Sequence, residues 1–171
     1  MPKKAVLVIA EQAFRDEEYL QPKAVLEEAG VEVLTASTTT SEVLGKLGAR
    51  VKPDLLISEL NLEEIDLLVF VGGGGAQQYF EDPVAHNRAR KMVDSGKLLG
   101  AICIAPVILA RAGLLKGRKA TVFIDGVDEL RENGATYTGK QVEVDGKIIT
   151  ANGPEAARLF GEELVKQLQL A

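Results

Sequence analysis

The only cysteine of the chain, Cys103, lies in Ala101-Ile102-Cys103-Ile104-Ala105-Pro106. An apolar run, Lys97-Leu98-Leu99-Gly100-Ala101, leads into it, and an apolar helical stretch, Val107 to Ala112, follows. This is the pattern of a buried strand that delivers a thiol to the first turn of a helix. There, unpaired N–H groups and aligned peptide dipoles favour a thiolate. A lone cysteine also serves commonly as a small buried hydrophobe, so its type alone leaves both roles open.

Glu17 and Glu18 follow the first strand, where a carboxyl within reach of Cys103 could relay its proton or hold it while sulfur is anionic. Acidic residues are equally at home in a first helical turn facing water. Gly72-Gly73-Gly74-Gly75 lacks the Gly-Lys-Ser/Thr ending of a phosphate loop, and Glu11-Gln12-Ala13 stands where a dinucleotide fingerprint would be. Close backbone approach, with an N–H aimed at an oxyanion beside the thiol, is a better use for this run. His86, the only histidine, lies in a polar stretch, and one histidine cannot build the usual metal cluster. A Cys–His dyad is therefore poorly supported.

Placing these groups requires an alternation of strands and helices. Ala5–Ala10, Val31–Ala36 and Leu67–Val71 read as buried strands, as does the run into Cys103. Glu17–Ala29 reads as a helix that Asp16 caps, with Pro22 either kinking it or marking a broken first turn. Asp82-Pro83 opens a helix to Ser95. Residues 38–60 suggest small strands or a hairpin, and Lys119–Phe123 another short strand. Val142 to Thr150 reads as two strands around Asp145-Gly146, and an amphipathic helix closes the chain near Leu170. The order implies an α/β fold, a mostly parallel central sheet with helices on both faces. Ligand sites then fall beyond the carboxyl ends of the strands, which gathers residues 11–18, 72–75 and Cys103 into one region.

With 171 residues, the chain suits a single domain over 1–171. A formal net charge of −5 argues against nucleic acid or an anionic membrane as partner. One cysteine excludes an internal disulfide and a zinc knuckle. The N-terminal apolar run is too short for a secretion signal or a membrane span, making the cytoplasm the expected location.

Taken in order, several pieces resemble the ThiJ/PfpI superfamily, most closely its Parkinson's-disease-protein-like branch. They are Leu7-Val8-Ile9-Ala10, the acidic loop ending in Glu18 with Pro22, Ala29-Gly30, Gly72-Gly73, Ala101-Ile102-Cys103 with Pro106, and Val144 to Thr150 through Gly153-Pro154. The resemblance implies a flavodoxin-like three-layer sandwich with Cys103 at a strained nucleophile elbow. In it, Glu18 contacts the sulfur and carries a proton when the cysteine is thiolate. N–H groups near Gly73 and Ile104 form an anion pocket. The resemblance further implies a cytoplasmic homodimer or higher homo-oligomer that requires neither metal nor organic cofactor. Activities ascribed to such proteins include peptidase, glutathione-independent glyoxalase, deglycation, oxidation sensing and chaperone roles.

Departures from the pattern narrow that range. Ile104 replaces the histidine that follows the nucleophile in the peptidase branch, and Phe123 stands where a further histidine often lies near the sulfur. Ile104 and Ala105 are bulkier than the alanine and glycine common after the cysteine, and Val71 replaces a proline. The expectation is cysteine-dependent work on a small reactive carbonyl such as a 2-oxoaldehyde. A non-enzymatic redox sensor or protective protein is the alternative, using the same two residues. Peptidase chemistry and an inert structural relative rank below these.

Overall fold

In the computed structural model, which describes residues 1–171, twelve strands and five α-helices follow one another. The strands are β1 (Lys4–Val8), β2 (Gln12–Phe14), β3 (Glu32–Ser37), β4 (Val43–Gly45), β5 (Arg50–Val51), β6 (Leu55–Leu56), β7 (Leu67–Phe70), β8 (Leu98–Ile102), β9 (Lys119–Ala120), β10 (Thr136–Tyr137), β11 (Val142–Asp145) and β12 (Ile148–Ala151). The helices are α1 (Asp16–Glu28), α2 (Pro83–Asp94), α3 (Pro106–Arg111), α4 (Val127–Glu132) and α5 (Ala157–Leu170).

Seven strands form the central sheet in the order β11-β12-β8-β7-β1-β3-β6. Only β11 runs antiparallel, through its hairpin with β12. Alternation along β1 divides the core: Val6 and Val8 join one cluster, while Ala5, Leu7 and Ile9 join the other. The first cluster takes in Ala85 and Met92 of α2, Leu109 of α3 and Leu130 of α4. The second takes in Tyr19 and Leu26 of α1 with Phe160 and Leu164 of α5. Three layers result, and the continuously apolar central strands are those buried on both faces. No helix is long and apolar enough to cross a membrane.

Successive strands leave β1 on opposite sides, β3 one way and β7 the other. This switch opens a crevice at the carboxyl ends of β1, β7 and β8.

Several local expectations need correction. Asp16 does not cap α1, because its carboxylate accepts the N–H groups of Leu47 at 3.0 Å and Ala49 at 2.8 Å. It thereby ties the β4–β5 turn to the helix start. Residues 12–14, within the loop expected to end in Glu18, instead form a strand parallel to β4, with Phe14 fully buried. Pro22 neither breaks the first turn nor ends the helix: α1 continues through it to Glu28. Without an N–H, Pro22 leaves the Glu18 carbonyl lacking its usual helical donor. The strand expected over Lys119–Phe123 ends at Ala120 and pairs with β10 outside the main sheet. Beyond it, the Thr121 N–H donates to the Thr150 hydroxyl and the Phe123 N–H to the Cys103 carbonyl, at 2.9 and 2.8 Å. The first donor thus serves β12 and the second the nucleophile loop, in place of a ladder. Residues 38–60 do contain an antiparallel pair, β4–β5, and also β6 at the sheet edge.

Candidate active site

Cys103 follows β8 directly, and its backbone adopts φ 64°, in the left-handed region. A non-glycine residue held there stores about 1–3 kcal/mol, which surrounding structure must offset. Two anchors hold it: the Cys103 N–H donates to Ala151 at 2.8 Å, and its carbonyl accepts from Phe123 at 2.8 Å. The chain then turns through Ile104 and Ala105 into α3. This sharp strand-to-helix turn is a nucleophile elbow in form.

Glu18 reaches the thiol from the first turn of α1. Its side chain is 0 % exposed, and neither carboxyl oxygen has a hydrogen-bond partner of good geometry. Beyond burial, the groups that act on it are the Cys103 thiol, the charges of Arg15 and Glu17, and the Gly72 N–H. A buried carboxylate left so poorly solvated favours its neutral form, and burial pushes Glu18 up to about 7. Cys103 is 9 % exposed, and burial, with the Glu18 charge behind it, pushes the thiol up to about 12. The Gly73 and Ile104 N–H groups pull the other way, towards thiolate, and neither is engaged by a backbone carbonyl.

This corrects the expectation that a helix dipole governs the thiol: α3 has only six residues, and burial outweighs it. The upward push from Glu18 requires an ionised carboxylate. When the shared proton resides on Glu18, repulsion disappears and the carboxyl can donate to sulfur. The two groups therefore titrate as a pair. With the carboxyl neutral, the Gly73 and Ile104 N–H groups still act in favour of thiolate, against the burial of the sulfur.

Glycine at position 72 permits this approach. A Cβ there would stand 2.5 Å from Glu18 Oε1, 2.6 Å from Cys103 Cβ and 2.7 Å from the Ile102 carbonyl oxygen. Gly73, at φ 99°, then turns its N–H towards the sulfur. Gly72 is thus the point of close backbone approach between three segments, the use expected of the glycine run.

A cavity of about 430 Å³ is lined by Cys103, Glu18, Gly73 and Ile104, with Arg15, Lys46 and Phe123 among its walls. Arg15 was also missed, since a lone arginine in a polar loop carries no local signature. Its guanidinium donates to both Glu17 oxygens, at 3.0 and 2.9 Å. Glu17 is thereby occupied away from the sulfur. A neighbouring, more open depression of about 620 Å³ shares Gln77 and Phe80 but holds no nucleophile. His86 lies on α2, where its Nε2–H donates to the Phe80 carbonyl at 2.7 Å. No cluster of three or more His, Cys, Asp or Glu side chains is placed to hold a metal ion.

Fold and site together define an α/β sandwich protein with a cysteine at a strand-to-helix elbow beside a buried carboxyl. Residues 3–167 match the DJ-1/PfpI family, and the chain belongs to it. It is 36 % identical over 164 residues to the deglycase PfpI of Pyrococcus furiosus, covering 96 % of this chain and 99 % of that one. A glutathione-independent glyoxalase of Caenorhabditis elegans is 29 % identical, with 98 % and 89 % covered. The crystal structure of a ThiJ/PfpI domain protein from Brachyspira murdochii superposes with a TM-score of 0.97 at 32 % identity, covering 100 % of this chain and 99 % of that one. The link to deglycase- and glyoxalase-type proteins thus holds at the level of the family.

Proposed function

We propose that the chain is a cysteine-dependent enzyme acting on small reactive carbonyls, with a 2-oxoaldehyde as the simplest substrate. The observation that carries this reading is the Glu18 carboxyl, buried without an oxygen or nitrogen partner and held against a thiol that two free N–H groups address. Relatives named as deglycases and a glyoxalase support the same class of substrate.

The steps follow from these groups. Cys103 thiolate attacks the aldehyde carbon, forming a C–S bond, while the carbonyl oxygen becomes an oxyanion near the Gly73 and Ile104 N–H groups. That oxygen takes the proton from Glu18. The resulting carboxylate removes the proton from the hemithioacetal carbon to form an enediolate. Return of that proton to the neighbouring carbon, with the hydroxyl proton passing from one oxygen to the other, yields a thioester, which water cleaves to a 2-hydroxy acid and free thiol. A pKa near neutrality suits a carboxyl that must both give and take this proton. No leaving amine needs protonation, which accommodates Ile104 and Phe123, the positions at which the family resemblance leads one to expect histidine.

The test is methylglyoxal turnover, followed as lactate formation. Wild type is expected to turn over, and Cys103→Ser and Glu18→Gln to lose at least about 100-fold in kcat/KM. Absent turnover in wild type, with clean conversion of Cys103 to sulfinate under mild peroxide, overturns this reading in favour of the redox sensor.

A further inference from the structure

We propose that Arg15, assisted by Lys46, forms a carboxylate-binding subsite beside Cys103, so that carbonyl substrates bearing a carboxylate are preferred. The inference rests on the functional reading above, whose substrate class it narrows.

Both cations line the cavity that contains the thiol. They are fastened to each other's backbone, because the Lys46 N–H donates to the Phe14 carbonyl at 2.9 Å, one residue before Arg15. The Asp16 carboxylate, bonded to the Leu47 and Ala49 N–H groups, fixes the same turn from below. Glu17 occupies Nε and Nη2 of Arg15, which orients the guanidinium and leaves Nη1 without a protein acceptor. Lys46 has no ion-pair partner. The Arg15 charge acts on both Glu18 and Cys103, so an anion attached to a carbon bonded to sulfur falls within its field.

Three acids also line the cavity, and because Glu17 offsets the charge of Arg15, the net positive charge of this wall comes from Lys46, with Arg15 Nη1 as an open donor beside it. Glu18 carries the working proton. Glu129 is engaged by Arg111 through both oxygens. Asp125 belongs to the exposed turn after Phe123, on a different segment from Arg15. A carboxylate is therefore drawn to the Arg15–Lys46 wall and away from the Asp125 turn.

Two alkylating reagents of nearly equal size test the charge preference without requiring turnover. Iodoacetate carries a carboxylate and iodoacetamide does not, and the single cysteine makes the labelled position unambiguous. The ratio of their second-order rates, referred to free cysteine, is measured for wild type, Arg15→Gln, Arg15→Lys and Lys46→Gln at low ionic strength. Wild type is expected to favour iodoacetate relative to free cysteine. The ratio falls roughly three- to tenfold in Arg15→Gln, less in Lys46→Gln, and largely returns in Arg15→Lys. Salt at about 1 M collapses the preference, since screening then acts within about 3 Å.

An unchanged ratio in Arg15→Gln, or equal losses for both reagents, overturns the subsite. Missing methylglyoxal turnover with the charge preference intact overturns only the functional reading. Failure of both reagents to label wild-type Cys103 overturns the two together.

Discussion

The burial that raises the Glu18 pKa has a consequence for stability. In the fold Glu18 titrates near 7, against 4.5 for an ordinary glutamate. A raised folded value means that the native state binds the proton more tightly than the unfolded chain. The resulting stability is fully present below about pH 4.5 and is lost as pH rises through about 7. Its ceiling is about 3 kcal/mol, from about 1.4 kcal/mol per pH unit. The raised Cys103 thiol acts in the same direction at higher pH, where the unfolded thiol ionises first. Glu18→Gln removes the ionisable group, so its melting temperature should exceed that of wild type at pH 8 and converge on it at pH 5. Thermal melts at both pH values check this. A wild-type pH dependence retained unchanged by the variant would mean that Glu18 is not the titrating group.

At the scale of elements, the turn after β7 is built for close approach at some positions and not at others. A Cβ at Gly75 would overlap the Gln12 carbonyl oxygen, a backbone atom that cannot swing aside. At Gly74 nothing stands within 4 Å of such a Cβ, and φ is not positive. Gly75→Ala should therefore cost about 2–4 kcal/mol, while Gly74→Ala should be neutral within about 0.5 kcal/mol. Urea denaturation of the two variants measures the contrast, and equal effects would contradict the packing described. Gly72→Ala would press on Glu18, Cys103 and the Ile102 backbone together, so its damage to chemistry and stability cannot be separated. The 74/75 pair gives the cleaner comparison.

Across the whole molecule, the site depends on two layers meeting over the sheet. Helix α1 carries Glu18, and α5 packs against it where Gly161 faces Pro22 and Val25. Helix α5 in turn seats Phe160 and Leu164 over Gly100 in β8, the strand that delivers Cys103. Acid and thiol are thus held in register by one apolar contact running from α1 through α5 to β8. Phe160→Ala should cost about 3–5 kcal/mol through the cavity it leaves. Leu159→Ala, on the exposed side of the same helix, should cost no more than about 0.5 kcal/mol. Chemical denaturation of both variants checks the contrast, and similar losses would show that α5 is not seated as described.

The layered α/β fold was legible in the amino-acid sequence because its signals are local. Runs such as Ala5–Ala10 and Leu67–Val71 are apolar throughout, and Asp82-Pro83 marks a helix start wherever it occurs. The elbow was legible for the same reason: an apolar run, one cysteine and a proline three residues on. Glu18 stood out as one of two neighbouring acids, and only the resemblance to a family preferred it over Glu17. Tertiary structure decided what local pattern could not. It turned Glu17 to Arg15 and buried Glu18, because the Gly72 and Cys103 segments close over the carboxyl of Glu18 while Glu17 stays half-exposed. It drew Asp16 to the amides of a turn some thirty residues away, and assigned the Phe123 N–H to the nucleophile loop. It also set the protonation of the central pair, since desolvation depends on which distant segments close around a group. Residue types determined that this protein has one thiol and a nearby carboxyl, and long-range packing determined that the two are buried side by side.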